Sequence, residues 1–163
     1  MKVYVLHHND LDGYVSADIV KTKYPEAVCI ECSYDKNNQI DKSIFEFGDK
    51  VFLVDYSLSE EDMKWFNMHT NFIWIDHHVS AINKSKENDY DDIEGIREIG
   101  LGGCELVWKY FYPQIQVNDF VRLCGEFDTF RTSGDREYFH KKVLTFFYGV
   151  SLHIDKLNPK NFN

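Results

Sequence analysis

The sequence contains no apolar run approaching the roughly 18 to 20 residues that a membrane-spanning helix requires. It is also poor in positive charge, because 18 basic residues stand against 27 acidic ones and give a net charge of −9. A surface of that sign repels phosphate backbones, so binding to long duplex DNA is disfavoured. The opening segment MKVYVLHHND has neither the apolar stretch nor the cleavage site of a signal peptide. We therefore expect a cytoplasmic protein with no membrane partner.

Cysteine is scarce, and its arrangement argues against a zinc or redox site. Cys29 and Cys32 form a CxxC pair, but the sequence has no second pair to complete a four-cysteine zinc site. The segment AVCIEC reads as a strand, and residues three apart on a strand point to opposite faces. The two thiols should therefore diverge. We expect all four cysteines, including Cys104 and Cys124, to be reduced and partly buried, as in an intracellular protein.

Apolar segments alternate with helical patterns along the first half of the chain. The four apolar runs that we predict as strands cover residues 2–6, 27–31, 51–55 and 71–76. Residues 14–24 and 57–66 have helical spacing, and Ser57 or Ser59 can cap the second of these helices. Such alternation predicts an α/β fold of three layers, with a mostly parallel sheet and helices on both faces.

The second half of the chain reads as helical. The polar segment 83–92 is predicted to be a surface loop. Residues 100–113 and 136–150 are predicted to be mostly helical, and residues 117–130 to be helical at least as far as Cys124. We predict one domain over residues 1–152 and a C-terminal tail over residues 153–163.

Acidic and histidine residues follow three of the predicted strands. The first strand runs into HHNDLD, the third ends at Asp55, and the fourth runs into Asp76, His77 and His78. A single aspartate after a strand is usually a helix cap, and a single histidine is usually a satisfied polar residue. Parallel strands, however, bring their carboxyl ends to one edge of the sheet. Three such endings together predict a cluster of carboxylates and imidazoles at that edge.

Closely packed carboxylates need either water or cations between them. Carboxylate and imidazole ligands suit Mn²⁺ best, with Mg²⁺, Fe²⁺ or Zn²⁺ as alternatives. Two such ions can share one carboxylate, lower the pKa of a bound water and hold phosphoryl oxygens. The cluster therefore predicts a site for two divalent metal ions.

Four segments resemble the motifs of the DHH phosphoesterases. These segments are HNDLDG at 8–13, VDYS at 54–57, DHH at 76–78 and GEFDTFR at 125–131. The superfamily includes RecJ-type exonucleases, nanoRNases, cyclic-dinucleotide phosphodiesterases and family II inorganic pyrophosphatases. The resemblance extends from residue 2 to about residue 152, and the motifs occur in the family's order.

The resemblance implies a role for each matched residue. One metal would be held by His8, Asp10 and Asp55, and the other by Asp12, Asp55, His77 and Asp128. Asp55 would bridge the two ions, and a metal-bound hydroxide would attack phosphorus.

Further positions would act around the metals. Asp76 would fix the tautomer of the His77 ring, and His78 would contact the phosphoryl group. Arg131 is either a bidentate phosphate clamp or a surface residue. The Gly102–Gly103 turn either offers backbone N–H groups to a phosphate or simply begins a helix.

The sequence departs from the family pattern in two places. His8 lies only two residues before Asp10, where several members have a spacing of four, so His7 is an alternative ligand to the favoured His8. Most members also carry a C-terminal substrate-binding domain with a GGGH-type motif, which is absent from this sequence. We expect the catalytic domain alone, with a site that is open or is closed by a partner chain or a homo-oligomer.

Three functions compete at this point. The first is a two-metal phosphoesterase acting on a short single-stranded oligonucleotide, a dinucleotide, a cyclic dinucleotide or a nucleotide phosphomonoester. The second is a non-catalytic DHH-fold module that binds a nucleotide or a protein as a regulator. The third is a flavodoxin-like binding domain without metal.

Overall fold

Four short strands form one parallel sheet in the computed structural model, which describes residues 1–35, 40–132 and 134–153. The strands are β1 (Val3–His8), β2 (Val28–Cys32), β3 (Lys50–Val54) and β4 (Asn71–Ile75). Their order across the sheet is β2-β1-β3-β4, and every neighbouring pair is parallel. All four predicted strands are present, with no end shifted by more than two residues.

Helices follow the strands and then fill the second half of the chain. They are α1 (Leu11–Lys23), α2 (Glu60–His69), α3 (Val79–Glu87), α4 (Gly103–Phe111), α5 (Asp119–Asp128), α6 (Arg136–Tyr138) and α7 (Thr145–Ser151). A short 3₁₀ turn spans Lys42–Ile44, and a π-helical segment, Phe139–Leu144, connects α6 to α7. The C-terminal segment is therefore helical, as expected, but it is not one regular α-helix.

The sheet is buried on both faces. Alternate strand residues such as Val5 and Val54 pack on one face against α1, α4 and α5. Their neighbours, such as Leu6, Leu53 and Trp74, pack on the other face against α2 and α3. Because successive strand residues point to opposite faces, each apolar strand supplies both cores. The predicted three-layer α/β fold is confirmed.

The two cysteines of the CxxC pair lie in different cores. Cys29 packs in the cluster beside α1, and Cys32 packs in the cluster beside α2. None of the four cysteines, which all lie within the described residues, forms a disulfide, and all four are buried. The expectation that the paired thiols diverge is confirmed.

Two boundaries differ from the sequence prediction. Helix α1 begins at Leu11 and not at Tyr14, because the Asp10 side chain caps it and accepts the N–H of Gly13 at 2.9 Å. The loop predicted over 83–92 is wrong in its first half, since α3 continues to Glu87. Only one narrow side of α3 is buried, so its sequence is polar like that of a loop.

Helix α5 extends beyond Cys124 and ends at Asp128, so its last turn delivers a carboxylate. None of the helices in the described part of the chain is long and apolar enough to cross a membrane. Apart from His153, the predicted tail over 153–163 lies outside the described residues.

Candidate metal centre

Three neighbouring strands of the sheet end in potential metal ligands. His8 closes β1, Asp55 follows β3 and Asp76 follows β4. Strand β2 lies beside β1 toward one edge of the sheet, and β4 lies beside β3 toward the opposite edge, so the two connections run in opposite directions across the sheet. The topological switch point thus lies between β1 and β3, where open α/β sheets bind their ligands. The six predicted metal ligands meet at this edge: His8, Asp10, Asp12, Asp55, His77 and Asp128.

The first group of ligands consists of His8, Asp10 and Asp55. Nδ1 of His8 lies 2.5 Å from Oδ2 of Asp10 and 3.9 Å from Oδ2 of Asp55. Burial raises the pKa of Asp10, but hydrogen bonds from His8 and from the Gly13 backbone outweigh it and lower that pKa overall. Asp10 thus stays anionic while capping α1, and its second oxygen faces the imidazole.

The second group gathers around one imidazole nitrogen. Nε2 of His77 lies 3.1 Å from Oδ1 of Asp55, 3.3 Å from Oδ2 of Asp128 and 3.9 Å from Oδ2 of Asp12. One nitrogen can donate at most one proton, so it cannot satisfy three carboxylates. A cation among these oxygens would satisfy all of them.

Asp55 links the two groups. It is 1% exposed, and within the described residues no hydrogen-bond partner reaches its Oδ2. Burial and the neighbouring carboxylates, Asp12 first among them, raise its pKa well above the ordinary value. Its backbone has φ +52°, a conformation that costs about 1 to 3 kcal/mol and persists only where the surroundings enforce it. A strained, buried carboxylate with an unsatisfied oxygen fits a bridging metal ligand.

Asp12 is held in place by the start of α4. The N–H groups of Gly103 and Cys104 donate to its two oxygens at 2.6 and 2.8 Å. Of the two roles predicted for the Gly102–Gly103 turn, binding of a substrate phosphate is wrong, because the anion at this helix start is the Asp12 carboxylate. Burial raises the pKa of Asp12 to about 6 even though these hydrogen bonds oppose the change.

Both glycines are required by close approach. A Cβ on Gly102 would lie 2.5 Å from the Cα of Gly125, and one on Gly103 would lie 2.6 Å from the Cβ of Asp55. The helix start can reach Asp12 only without side chains at these positions.

Burial also shifts the pKa values of Asp128 and His77, the remaining residues of the second group. It raises the pKa of Asp128 to about 6, with the Asp12 charge adding to the effect. It lowers the pKa of His77, so the neutral, metal-binding form of that ring is favoured.

Asp76 orients His78. Its Oδ1 accepts from Nδ1 of His78 at 2.6 Å and from the backbone N–H of His77 at 2.8 Å. The predicted contact with the His77 ring is thus replaced by one with the His78 ring. The hydrogen bond to Asp76 raises the pKa of His78, and the His78 side chain is 33% exposed at the cluster's rim.

His7 and Arg131 lie in settings that differ from those of the ligands. His7 is fully buried in β1 with Nδ1 2.7 Å from the carbonyl oxygen of His8, so His8 is the histidine that joins the cluster. The guanidinium of Arg131 donates to both oxygens of Glu105 at 2.8 and 2.9 Å and to the Gly100 carbonyl. Arg131 therefore ties α4 to the chain after α5 and is not a free phosphate clamp.

Three residues around the site were not singled out from the sequence. Glu105 is 6% exposed and accepts the N–H of Gly102 at 3.0 Å, besides binding Arg131. The rings of Tyr34 and Tyr56 lie beside His8, with centres 5.5 and 5.9 Å from that of its ring, and the Tyr56 ring is stacked on it. Tyr34 follows β2, so the rule that ligands gather at strand ends could have identified it. The partner of Glu105 is 26 residues away and has no sequence signal.

The ligand set fits divalent cations. Three sets of side chains bring ligand atoms within 4.8 Å of one another. They are His8 with Asp10 and Asp55, Asp12 with His77 and Asp128, and Asp55 with Asp76, His77 and His78. Mixed imidazole and carboxylate ligands suit Mn²⁺, Fe²⁺ and Zn²⁺, and carboxylates alone suit Mg²⁺.

Comparison with known proteins supports the fold alone. No protein-family model matches the sequence, and no curated protein does. Among solved structures, the fold is similar to that of an uncharacterized protein from Helicobacter pylori G27, with a TM-score of 0.66 and 15% identity. That similarity covers 99% of this chain and 54% of the other, so the chain spans about half the length of its structural neighbour.

Proposed function

We propose that the chain is a metal-dependent phosphoesterase acting on a small phosphorylated or nucleotide substrate. The observation that supports the proposal is the position of the buried Asp55 carboxylate, which belongs to the first group with His8 and Asp10 and lies 3.1 Å from Nε2 of His77 in the second. A carboxylate shared between two ligand groups is the arrangement that holds paired metals in phosphatases and nucleases. The resemblance of four sequence segments to DHH phosphoesterase motifs supports the same activity.

Each ligand group would hold one ion. The first ion would be bound by His8, Asp10 and Asp55, and the second by Asp12, Asp55, His77 and Asp128. We expect Mn²⁺ as the resident metal, with Mg²⁺, Fe²⁺ or Zn²⁺ as substitutes. When bound, such ions lower the pKa of a coordinated water and neutralise charge on a phosphoryl group.

His78 supplies the chain's own contact to the substrate in this proposal. Its Nδ1 is committed to Asp76, which leaves Nε2 as the nitrogen that can meet a phosphoryl oxygen. Because the Asp76 bond raises the pKa of His78, the cationic ring is favoured and attracts an anionic oxygen. Asp76 therefore acts as a positioning residue.

The charge of the chain favours a small substrate. A net charge of −9 repels a long phosphate backbone, and the Arg131 guanidinium is already bound to Glu105. Dinucleotides, cyclic dinucleotides and short single strands present few phosphates, which bound cations can neutralise locally.

The test is hydrolysis of a substrate panel with Mn²⁺ and then with EDTA. The panel holds the dinucleotide pApA, a short RNA, a cyclic dinucleotide, pyrophosphate and a simple phosphodiester. We expect Mn²⁺-dependent turnover of at least one member of the panel. The Asp55→Asn variant should lose this turnover and should also lose metal binding at both groups. Asp92→Asn is the matched control, because Asp92 is an exposed aspartate outside both groups.

Two further results bear on the assignment. His78→Ala should slow turnover while the metals stay bound, and metal loss in this variant would make His78 a ligand. Wild-type turnover in Asp55→Asn would contradict the proposal. Bound metals without turnover of any substrate would instead favour a regulatory module of the same fold.

A further inference from the structure

A cavity of about 380 Å³ lies beside the metal centre, between the segment after β2, the loop after β3 and the first turns of α3. We call it the tyrosine pocket. Its walls include the side chains of Tyr34, Tyr56, Ser57, Asp62, Ser80 and Lys84. The volume lies near the lower end of the range for small-molecule sites, which suits one compact ligand group and not an extended chain.

The walls of the tyrosine pocket suit an uncharged polar group. Asp62 is already neutralised, because one oxygen binds Lys42 at 2.5 Å and the other accepts from Ser59 at 2.7 Å. The other charged residues on the described walls are Asp35 and Lys84, whose formal charges sum to zero. Hydroxyl groups and a carboxylate hydrogen-bond to ribose hydroxyls or base amino groups, whereas a phosphate would need a surplus of positive charge.

An aromatic platform forms one side of the tyrosine pocket. The rings of Tyr34 and Tyr56 lie 4.5 Å apart, centre to centre. Tyr56 is buried and its hydroxyl donates to the carbonyl of Ser33 at 2.8 Å, so it supports the outer ring. Tyr34 is 59% exposed, so its side chain is accessible from solvent. An accessible tyrosine side chain beside hydroxyl groups is the kind of surface on which nucleobases stack.

The same platform adjoins the metal ligands. The Tyr34 ring centre is 5.5 Å from that of His8 and 6.5 Å from that of His78. A group bound against Tyr34 would therefore be joined to a phosphate at the cluster by a short linkage such as a ribose. The pocket and the metal centre are placed as two adjacent parts of one binding site.

We infer that the tyrosine pocket binds one nucleoside of the substrate, with its base stacked on Tyr34, so that the substrate class is a short nucleotide and not pyrophosphate or a simple phosphate ester. This inference rests on the proposed function for its account of the neighbouring phosphate. The nucleoside-binding part stands on the pocket alone and is tested separately below.

The first experiment compares a dinucleotide with its doubly abasic counterpart, in which both bases are replaced by hydrogen. We expect the wild-type protein with Mn²⁺ to favour the intact dinucleotide in kcat/KM by roughly fivefold to a hundredfold, the range that stacking of one base provides. Tyr34→Ala should abolish most of this preference and Tyr34→Phe should retain it, because the ring carries the interaction. An unchanged preference in Tyr34→Ala would overturn the inference. An equal loss of kcat/KM on both substrates would overturn it too, because Tyr34 would then act only through His8 and His78.

The second experiment does not depend on turnover. Equilibrium binding of AMP and of ribose 5-phosphate is measured by calorimetry in the presence of Mn²⁺. We expect AMP to bind more tightly by a similar factor, and the difference to vanish in Tyr34→Ala. Equal binding of the two ligands by the wild-type protein would overturn the inference even if the protein proved to be a phosphoesterase. A preference for AMP over ribose 5-phosphate, with no turnover of any member of the substrate panel, would uphold nucleoside binding and reject the proposed function.

Tyr148→Ala is the matched control for both experiments. Tyr148 is 64% exposed on α7, outside the tyrosine pocket and the metal centre. It should keep the wild-type preference. A thermal melt of each variant shows whether the fold is retained.

Discussion

Asp128 is a single residue of the candidate metal centre whose burial lowers the stability of the metal-free chain at neutral pH. Burial raises its pKa from 3.8 to about 6, so the folded chain holds this proton more tightly than the unfolded chain does. The protonated group therefore stabilises the fold at low pH, and this contribution is lost as the pH rises through about 6. Without metal, the ionised carboxylate destabilises the fold at neutral pH.

Asp128→Asn should therefore stabilise the metal-free protein at neutral pH. Asparagine stays uncharged, so with EDTA at about pH 7.5 we expect a gain on the order of 1 kcal/mol, or roughly 2 to 4 °C in melting temperature. At about pH 4, where the wild-type carboxyl is largely protonated, the gain should shrink toward zero. Differential scanning calorimetry across this pH range measures both. Asp92→Asn, at an exposed position, should give no such gain, and a lower melting temperature for Asp128→Asn at pH 7.5 would contradict the argument.

Some roles of single site residues could be predicted from the sequence, and others could not. Asp55 was predictable, because a carboxylate after an apolar strand lies at the sheet edge whatever the rest of the chain does. The role of Arg131 was not, because it depends on Glu105, whose position is set by packing of α4 against the sheet. The Asp76 contact was predicted for the wrong histidine, since the turn after β4 decides which ring reaches its oxygen.

At the scale of elements, α4 is the helix whose position the site requires. Its first turn binds Asp12 through two backbone N–H groups, and Gly103 touches Asp55. A helix start is favourable for a carboxylate because its unpaired N–H groups and dipole are positive there. The helix thereby fixes ligands of both groups without contributing a ligand itself.

Gly103→Ala should disturb this arrangement. The new Cβ would lie 2.6 Å from the Cβ and 3.0 Å from the Cγ of Asp55, so either α4 or the bridging ligand must move. We expect a loss of about 1 to 3 kcal/mol in the free energy of unfolding, the usual range for overpacking, together with weaker Mn²⁺ binding. Urea denaturation with and without Mn²⁺ measures both effects.

Gly149→Ala is the control for this prediction. Gly149 also lies within a helix, α7, but a Cβ there would meet no atom within 4 Å. It should gain up to about 1 kcal/mol from the better helix propensity of alanine. Wild-type stability and wild-type Mn²⁺ binding in Gly103→Ala would show that α4 can shift freely.

The elements themselves were predictable to different degrees. The buried strands were found because both faces of a parallel sheet are covered and the runs are almost wholly apolar. Helix α3 was not predicted, and its residues 83–87 were assigned to a loop, because it buries so little of its surface that its pattern resembles a loop. The π-helical segment depends on the packing of Phe139 and Val143 against other parts of the chain, and this packing cannot be predicted from the pattern of neighbouring residues.

At the scale of the whole molecule, the chain carries a net charge of −9 and gathers five of its carboxylates at one sheet edge. Ionising all five in a partly buried site without cations is unfavourable, since burial and the charges of the other four raise the pKa of Asp55. The fold is thus expected to be metal-linked: ions that bind only the folded chain raise its stability by mass action.

This linkage predicts how stability should depend on Mn²⁺ concentration. If two ions bind only the folded chain, each tenfold increase in excess Mn²⁺ adds about 2.7 kcal/mol to the free energy of unfolding, and about half of that if one ion binds. We expect the larger slope for the wild-type protein. Asp10→Asn should show the smaller slope, because Asp10 belongs only to the first group, and Asp55→Asn should show almost none, because Asp55 belongs to both.

Urea unfolding at a series of Mn²⁺ concentrations gives the three slopes, with Asp92→Asn expected to match the wild type. Equal slopes for Asp10→Asn and Asp55→Asn would mean that Asp55 does not bridge, because only a shared ligand makes the two variants differ.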